Sequence, residues 1–392
     1  MRHTLTAVVA ATSLALLACG QGAAHAVSLP GSSLSSGSSF PGSSDTTSTP
    51  GLSESFQVTE HGTFDEGWAM AFLPGTDYLV VTERAGQIKL RNTATDEVRD
   101  VSGVPEVYDV GKAGLFDIIP GPTFSDDGTV YLSWARPHAQ GSQGVVATAH
   151  LDTGTASLSD VHVIWEQAPS TGDGHFSLRL LIQGSHLFVT SGERQKGQPA
   201  QSMDTNVGKI LRLTLDGKPA EGNPWYDRGG AAAEFWSIGH RNVLGIAEGA
   251  DGTIWASEMG PRGGDELNLI TPGANYGWPR ASMGDHYDGM PIPDHAPGDG
   301  YLAPKAYWVP SISPANLVLY QGGLFSDWQG SALLGGLSGQ TLVRVPITGD
   351  SAGATQSWDA GARVREVEAA PDGAIWLLED GANGRLRELR PK

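Results

Sequence analysis

One sequence pattern occurs six times along this chain and limits the folds that it can adopt. In each copy, a turn rich in Gly or Asp is followed by a short run of β-forming residues. The copies lie at residues 74–83, 126–133, 183–190, 251–257, 327–334 and 372–378. Their spacing of roughly 45 to 75 residues suits four-stranded propeller blades of about 40 to 50 residues with insertions between them. Because no stretch alternates strands with long helices, the repeats predict an all-β, six-bladed β-propeller.

Three of the repeats contain apolar runs that we expect to form blade cores. These runs are residues 78–81, 130–132 and 375–378. The chain has 392 residues, more than one core requires, yet its composition does not change after about residue 55. We therefore expect one propeller domain over residues 54–392.

The charge of the chain excludes some partners. Its 43 acidic and 25 basic residues give a formal net charge of −18. A nucleic acid or an anionic membrane would require a basic face, so neither is expected to bind. An acidic chain is suited to calcium, which takes oxygen ligands.

The first 53 residues predict export. Residues 1–19 combine a short basic start with an apolar run too short for a membrane anchor, and residues 16–19 resemble a lipoprotein cleavage box. Cys19 is the only cysteine, so we expect lipid attachment there; a buried free thiol, or cleavage after Ala26 without lipid, are the alternatives. Residues 20–53 are rich in Ser, Gly and Pro and predict a flexible linker. The product is a periplasmic or cell-surface protein that contacts a membrane only through the lipid.

Oxygen-bearing residues are concentrated in residues 255–279. A strand ends there at Gly260-Pro261, where the turn frees backbone carbonyls. Asp265, Glu266 and Asn268 follow within one short loop. Carboxylates and carbonyls of this kind bind calcium, although the spacing does not match an EF-hand and a loop of solvated acids is the common alternative.

Two further motifs place polar side chains in loops between the repeats. His175 precedes a repeat strand, where propeller loops line the axial opening, and a histidine there can take a proton near neutral pH. A surface or structural histidine is the alternative. Arg241 and Asn242 supply donors of the kind that bind planar carboxylates.

A pair of arginines precedes the last repeat. Arg363 and Arg365 are two residues apart, so on a strand both face one ligand. The alternative is a solvated strand edge on which Glu366 and Glu368 pair with them.

Together these motifs resemble the soluble quinoprotein sugar dehydrogenases, the glucose/sorbosone and aldose sugar dehydrogenases that use pyrroloquinoline quinone (PQQ) with calcium. The resemblance is carried by residues 258–268 and 275–279, by the spacing of His175 from Arg179-Leu180, by residues 239–242 and by the later arginine pair. It implies a six-bladed propeller, with His175 as the general base that removes the anomeric hydroxyl proton while hydride passes to the quinone.

The resemblance also implies a set of ligand-binding residues. Arg241 and Asn242 would hold the quinone, with Arg241 polarising the carbonyl that receives hydride, and Arg363 and Arg365 would neutralise PQQ carboxylates. The carbonyls of Gly260 and Pro261 would hold a cofactor-bound calcium. Glu266 and Tyr276 would form a separate structural calcium site.

The chain departs from the family pattern at three places. Lys112 stands where the family has a glutamine that contacts cofactor or substrate, and Ser338 stands where several members have a cofactor-binding lysine. Lys112 is therefore a candidate to supply, from another loop, the charge missing at residue 338. Val243-Leu244 replace a common Pro-Gln and alter the packing beside the ligand.

The favoured function is an exported, PQQ- and calcium-dependent dehydrogenase that oxidises the anomeric carbon of aldoses to lactones. The sequence contains no haem-attachment motif, so electrons would leave to an external quinone or cytochrome. The first alternative is a non-catalytic cell-surface propeller that binds glycans or proteins, which Lys112 and Ser338 favour. The second is a calcium-dependent lactone hydrolase on a similar propeller.

Overall fold

The computed structural model describes residues 49–169 and 172–392. The predicted signal segment, Cys19 and most of the predicted linker lie outside these residues. Within them, six antiparallel sheets of four strands each form six blades. None of the described helices is long and apolar enough to cross a membrane.

The first three blades follow one another along the chain, with their strands in chain order. Blade 1 consists of β2 (Gly67–Phe72), β3 (Tyr78–Glu83), β4 (Gln87–Asn92) and β5 (Val98–Asp100). Blade 2 consists of β6 (Leu115–Pro120), β7 (Thr129–His138), β8 (Gly141–Asp152) and β9 (Ser157–Glu166). Blade 3 consists of β10 (Ser177–Gln183), β11 (His186–Ser191), β12 (Lys209–Thr214) and β13 (Phe235–Ile238).

The last three blades complete the ring. Blade 4 consists of β14 (Val243–Glu248), β15 (Ile254–Glu258), β16 (Asp265–Ile270) and β17 (Ala306–Trp308). Blade 5 consists of β18 (Val318–Leu319), β19 (Ala332–Gly336), β20 (Thr341–Val345) and β23 (Gln356–Asp359), with a small ribbon of β21 (Ile347–Thr348) and β22 (Ser351–Ala352). Blade 6 consists of β24 (Val364–Ala369), β25 (Ile375–Glu379), β26 (Gly384–Pro391) and β1 (Phe56–Phe64).

Blade 6 joins the two ends of the described chain. Its outer strand β1 pairs antiparallel with β26, from Phe56 opposite Pro391 to Phe64 opposite Gly384. The first strands of neighbouring blades contact one another around the ring, and β24 contacts β2. The prediction of an all-β, six-bladed β-propeller is therefore confirmed.

Helical structure is limited to short segments in the described chain. The α-helices are α1 (Leu52–Ser55) and α2 (Phe124–Asp127). The 3-10 helices are Gln198–Gln201, Tyr226–Arg228, Gly230–Glu234 and Ser326–Trp328.

Each of the six sequence repeats ends in the second strand of a different blade, namely β3, β7, β11, β15, β19 and β25. A second strand has neighbours on both sides and adjacent blades on both faces, which explains its continuous apolar runs. Val80, Val130 and Leu377 are completely buried. Tyr78 is an exception within the predicted core, because it is only partly buried.

One arginine connects all six blades near the axis. Arg179 lies on β10 of blade 3 and is buried. Its guanidinium contacts one residue of each of the other blades: Trp68 (ring, 4.1 Å), Asp117 (3.5 Å), the carbonyls of Leu244 (2.9 Å) and Ala315 (3.1 Å), and the carboxylate of Glu366. The sequence motif that contains His175 therefore also supplies the central contact of the ring.

Candidate active site

A cavity of about 1180 Å³ lies at the end of the ring where the chain enters the first strands of several blades. Eight of the residues predicted to act at a site line it: Lys112, His175, Arg241, Asn242, Gly260, Pro261, Arg363 and Arg365. Ser338 lines the same cavity. Lys112, His175 and Arg241 come together because each precedes the first strand of a blade, and these strands enter the ring at one end.

The ring of His175 is held by a carboxylate that sequence reasoning missed. His175 Nδ1 lies 2.5 Å from Oε1 of Glu193, and the other oxygen of Glu193 accepts a hydrogen bond from the Gly197 N–H. Burial alone would raise the pKa of Glu193, but the bonds from His175 and Gly197 lower it, so Glu193 is an acceptor. The proton therefore resides on His175 Nδ1, and Nε2 is left as the basic nitrogen.

The surroundings keep the imidazole of His175 neutral. Its side chain is 9% exposed, and this burial is the main cause of a pKa below the ordinary 6.5. Glu193 raises the pKa, whereas the charges of Arg241 and Lys112 lower it further. The outcome is a free base at neutral pH.

Arg241 contains a donor without a partner. Its Nη1 donates to the Met259 carbonyl at 3.0 Å, and Nη2 lies 3.3 Å from the Tyr287 hydroxyl. Its Nε is buried and has no hydrogen-bond partner among the described residues. A buried unpaired donor is costly, so the hydrogen bonds of Arg241 are incomplete within the described residues.

Asn242 links the arginine to the strand that follows the histidine. Its side-chain oxygen accepts a hydrogen bond from the Ser177 hydroxyl at 3.1 Å. The amide nitrogen makes only a long contact, 4.0 Å, with the sulfur of Met259. Asn242 is thereby fixed in orientation while its N–H groups remain available in the cavity.

The late arginines share one acid. Arg363 Nε donates to Asp380 Oδ2 at 2.7 Å, and Arg365 Nη2 donates to Oδ1 at 2.7 Å. The alternative with Glu366 and Glu368 as partners does not describe these contacts, because Glu366 pairs with Arg179 instead. Two guanidinium groups against one carboxylate leave positive charge facing the cavity.

Lys112 and Ser338, two of the departures from the family pattern, lie on this same cavity. Lys112 is exposed, and its ammonium group has no ion pair or hydrogen bond within the described residues. Ser338 bonds to neighbouring loops, with its Oγ 3.1 Å from the Ser311 carbonyl and 2.8 Å from the Ser313 hydroxyl. Lys112 thus contributes a free cation, whereas Ser338 contributes none.

The turn at Gly260-Pro261 is shaped by Asp265. One carboxylate oxygen of Asp265 accepts from the Gly260 N–H at 2.9 Å, and the other accepts from Ser311 and the N–H groups of Ile312 and Ser313. Asp265 therefore holds neighbouring loops together through both of its carboxylate oxygens. The carbonyls of Gly260 and Pro261 accept no hydrogen bond from the described residues.

Glu266 and Tyr276 line a second, much smaller cavity of about 10 Å³ beside the first. Glu258 lines it too, and Asn268 Nδ2 donates to both Glu258 (3.2 Å) and Glu266 (3.0 Å). Burial and the charge of Glu258 raise the pKa of Glu266 well above its ordinary value.

Two observations limit which oxygen atoms are open to a cation near this small cavity. The buried Oδ1 of Asn268 lacks a partner among the described residues. The Tyr276 hydroxyl is used, since it donates to the Leu269 carbonyl at 2.6 Å and accepts from the Thr271 N–H at 2.9 Å, so only the carbonyl of Tyr276 is open. In the described parts of the chain, no three His, Cys, Asp or Glu side chains are grouped as metal ligands, so any ion here also requires backbone oxygens.

Sequence reasoning also missed Asp380 and Tyr287, in addition to Glu193. Asp380 directly follows β25, and Tyr287 lies in the long connection between β16 and β17. Each of the three lies 15 or more residues along the chain from the site residue that it contacts. None of them therefore shares a sequence motif with that residue. The only local signal was an acid just after a repeat strand, for Glu193 and Asp380, and no local signal marked Tyr287.

Comparisons with known proteins identify the family to which this chain belongs. The family model described as glucose/sorbosone dehydrogenase matches residues 64–388. The aldose sugar dehydrogenase YliI of Escherichia coli is 33% identical over 339 residues, which cover 84% of this chain and 91% of that protein. A solved structure of a glucose dehydrogenase is 36% identical with a TM-score of 0.82, over 86% of this chain and all of its own. The PQQ-bound aldose sugar dehydrogenase of Streptomyces coelicolor is 29% identical with a TM-score of 0.72, over 86% of this chain and 98% of its own. This chain belongs to the glucose/sorbosone dehydrogenase family.

Proposed function

We propose that this chain is a PQQ- and calcium-dependent dehydrogenase that oxidises the anomeric carbon of aldose sugars to lactones. The observation that carries the proposal is the neutral His175, held by Glu193, in one cavity with the unsatisfied Nε of Arg241. The names of the relatives point to the same chemistry: an aldose sugar dehydrogenase, a glucose dehydrogenase and an enzyme solved with PQQ.

The cationic wall of the cavity suits the cofactor. PQQ carries three carboxylates and, when bound, supplies an ortho-quinone that accepts hydride. Arg241 and Asn242 offer free N–H groups, and Arg363, Arg365 and Lys112 offer positive charge. These residues would hold PQQ, because guanidinium groups match planar carboxylates and a lysine binds as a point charge.

Calcium has two candidate places. The open carbonyls of Gly260 and Pro261 would hold an ion beside the cofactor, where it acts as a Lewis acid. Glu266, Glu258 and the carbonyl of Tyr276 would hold a second, structural ion, which offsets the repulsion of two buried carboxylates.

The chain supplies the base for the reaction. His175 Nε2 takes the proton of the anomeric hydroxyl as hydride leaves the carbon, and Glu193 stabilises the imidazolium through Nδ1–H. Arg241 directs positive charge to the region where hydride arrives. We expect the electrons to pass on to an external quinone or cytochrome.

Export and anchoring remain predictions from the first 53 residues. In a host that processes lipoproteins, a palmitate analogue should label the protein and Cys19→Ser should abolish the label. An unlabelled wild type would refute the anchor but not the enzymatic proposal, which concerns residues 54–392.

The test of the function is the reduction of bound PQQ by an aldose, followed by stopped-flow spectroscopy after PQQ and calcium are added. His175→Ala should lower kcat by about 10² to 10⁴ and leave PQQ binding largely intact. His138→Ala, which changes an exposed histidine at the end of β7, is the control and should react like the wild type.

Two results would contradict the proposal. Reduction at the wild-type rate in His175→Ala would show that His175 is not the base. Failure of the wild type to bind PQQ would favour the alternative, a non-catalytic propeller that binds glycans or proteins, for which Lys112 and Ser338 are the supporting residues.

A further inference from the structure

The base His175 lies in a backbone segment of unusual conformation. His175, Ser177 and Leu178 have φ angles of +47°, +59° and +64°. Residues with side chains rarely adopt this left-handed region, and they remain there only where surrounding contacts hold them. The direction of His175 Nε2 therefore depends on whatever fixes this segment.

We infer that Arg194 is a positioning residue for the proposed base: it fixes the backbone around His175 and acts on the reaction only through that histidine. This inference rests on the proposed function, since it concerns the same site. Arg194 is 1% exposed and lies next to Glu193, the residue that holds the His175 ring.

The contacts of Arg194 surround the histidine segment on both sides. Its Nε donates to the Gly174 carbonyl at 3.2 Å, and its Nη2 donates to the Gly172 carbonyl. The backbone N–H of Arg194 donates to the His175 carbonyl at 3.3 Å. The guanidinium carbon lies 3.7 Å from the ring centroid of Phe176. Arg194 therefore contacts both neighbours of His175 and its backbone.

The rest of the guanidinium is anchored to blade 2 and the loop that follows it. Nη1 donates to the Gln167 side chain at 2.9 Å, and Nη2 lies 3.3 Å from the Ser142 hydroxyl. No carboxylate forms an ion pair with Arg194 in the part of the chain that the structure describes. This buried arginine donates to carbonyls next to the proposed base and not to a carboxylate. Its role is therefore to hold the backbone in place rather than to neutralise a charge.

The two segments can approach closely only because residue 192 is glycine. A Cβ at Gly192 would lie 2.1 Å from the His175 carbonyl oxygen. The loop after β11 thus brings Glu193 to the His175 ring and Arg194 to the His175 backbone in consecutive residues. Ring and backbone are fixed by one short segment.

The test compares Arg194→Gln with Arg212→Gln as a matched control. Arg212 lies on β12 of the same blade and stacks on Trp236 at 4.4 Å, but it bonds to Asn223 and Glu221 and makes no contact with the histidine segment. The pKa of His175 is measured in the protein without cofactor by NMR titration, with His175→Gln to assign the signal. Turnover is measured with PQQ and calcium.

We expect Arg194→Gln to raise the pKa of His175 toward 6.5, because a looser segment admits water and burial is the main cause of the depressed pKa. We also expect kcat to fall about tenfold or more while KM and PQQ affinity stay within about twofold. Arg212→Gln should change none of these. An unchanged pKa together with an unchanged kcat in Arg194→Gln overturns the inference.

Two further outcomes are also decisive. If Arg194→Gln does not fold, Arg194→Lys takes its place, since a lysine keeps the charge but cannot reach all four acceptors; wild-type pKa and kcat in that variant overturn the inference. If the wild type shows no PQQ-dependent turnover, the proposed function fails, while the NMR titration still decides whether Arg194 controls His175.

Discussion

Two pairs of buried carboxylates occur in this propeller, and they differ in how their charge is balanced. Asp117 and Glu366, on first strands of blades 2 and 6, share the guanidinium of Arg179. Glu258 and Glu266, on neighbouring strands of blade 4, form no ion pair with an arginine or lysine side chain in the described chain, although the backbone N–H of Arg241 donates to Glu258. His240 bonds to Glu258 at 2.9 Å, and His295 lies 3.9 Å from Glu266.

We propose that this difference separates a structural contact from a calcium site. The axial pair is satisfied by the chain itself, even though burial raises the pKa of Glu366 to about 8 against the effect of Arg179. The blade 4 pair is incomplete, because the Asn268 amide donates to both acids but does not supply charge. A buried polar group with its partners stabilises the fold, whereas one without them indicates a ligand from outside.

The largest expected effect tests the axial pair. Arg179→Met removes the guanidinium but leaves two acids and two carbonyls buried, so the free energy of unfolding should fall by about 3 to 5 kcal/mol. Denaturant unfolding measures this. The control is Arg344→Met. Arg344 also stacks on an aromatic ring, 5.2 Å from Trp328, but it lies near solvent, so its loss should lower the free energy of unfolding by less. If the free energy of unfolding falls equally in the two variants, the axial contacts of Arg179 contribute no more than those of an arginine near solvent.

The next effect tests the incomplete pair. Calcium at about a hundred times its Kd should add about 2.7 kcal/mol to the free energy of unfolding, because it binds only the folded chain. Glu266→Gln should reduce this gain, while Glu248→Gln, a change of a partly exposed acid in the same blade, should not. Identical melting curves with calcium and with chelator would contradict the assignment.

A smaller effect extends the comparison to arginines. Arg241 has an Nε without a hydrogen-bond partner, whereas the Nε of Arg179 donates to a carbonyl. Arg241→Gln should therefore weaken PQQ binding by about 1.5 to 3 kcal/mol, which is a tenfold to hundredfold loss of affinity. The free energy of unfolding should change by less than about 1 kcal/mol. Fluorescence titration measures the affinity. Arg262→Gln, at an exposed cation on the same cavity, should cause a smaller loss of affinity.

The smallest effect concerns pH. In the proposed mechanism the neutral form of His175 is the active one, so the rate of PQQ reduction should fall on the acid side with a midpoint below 6.5, because the pKa of His175 is lowered. The charge of Arg241 is one cause of that lowering, so Arg241→Gln should move the midpoint upward. Stopped-flow rates from about pH 5 to 8 test both expectations. A midpoint above 6.5 in the wild type would contradict the neutral environment of His175.

The architecture and the residues that stand in motifs were predictable from the amino-acid sequence. The six repeats predicted six blades because the second strand of each blade is buried on both faces, and this leaves a local apolar signal such as residues 375–378. His175, Arg241 and Gly260-Pro261 were identified for a similar reason, since each stands in a contiguous motif. The separation of Glu266 and Tyr276 from the main cavity was also expected.

The partners of these residues could be identified only from the folded chain. Glu193, Asp380 and Arg194 act on groups in other segments, and the closure of blade 6 by β1 joins residues more than 300 positions apart. Arg179 was noted only as a motif residue, yet it contacts every blade. The physical reason is that local periodicity reports the burial of a strand, whereas ion pairs and hydrogen bonds depend on distances that exist only once the ring has closed.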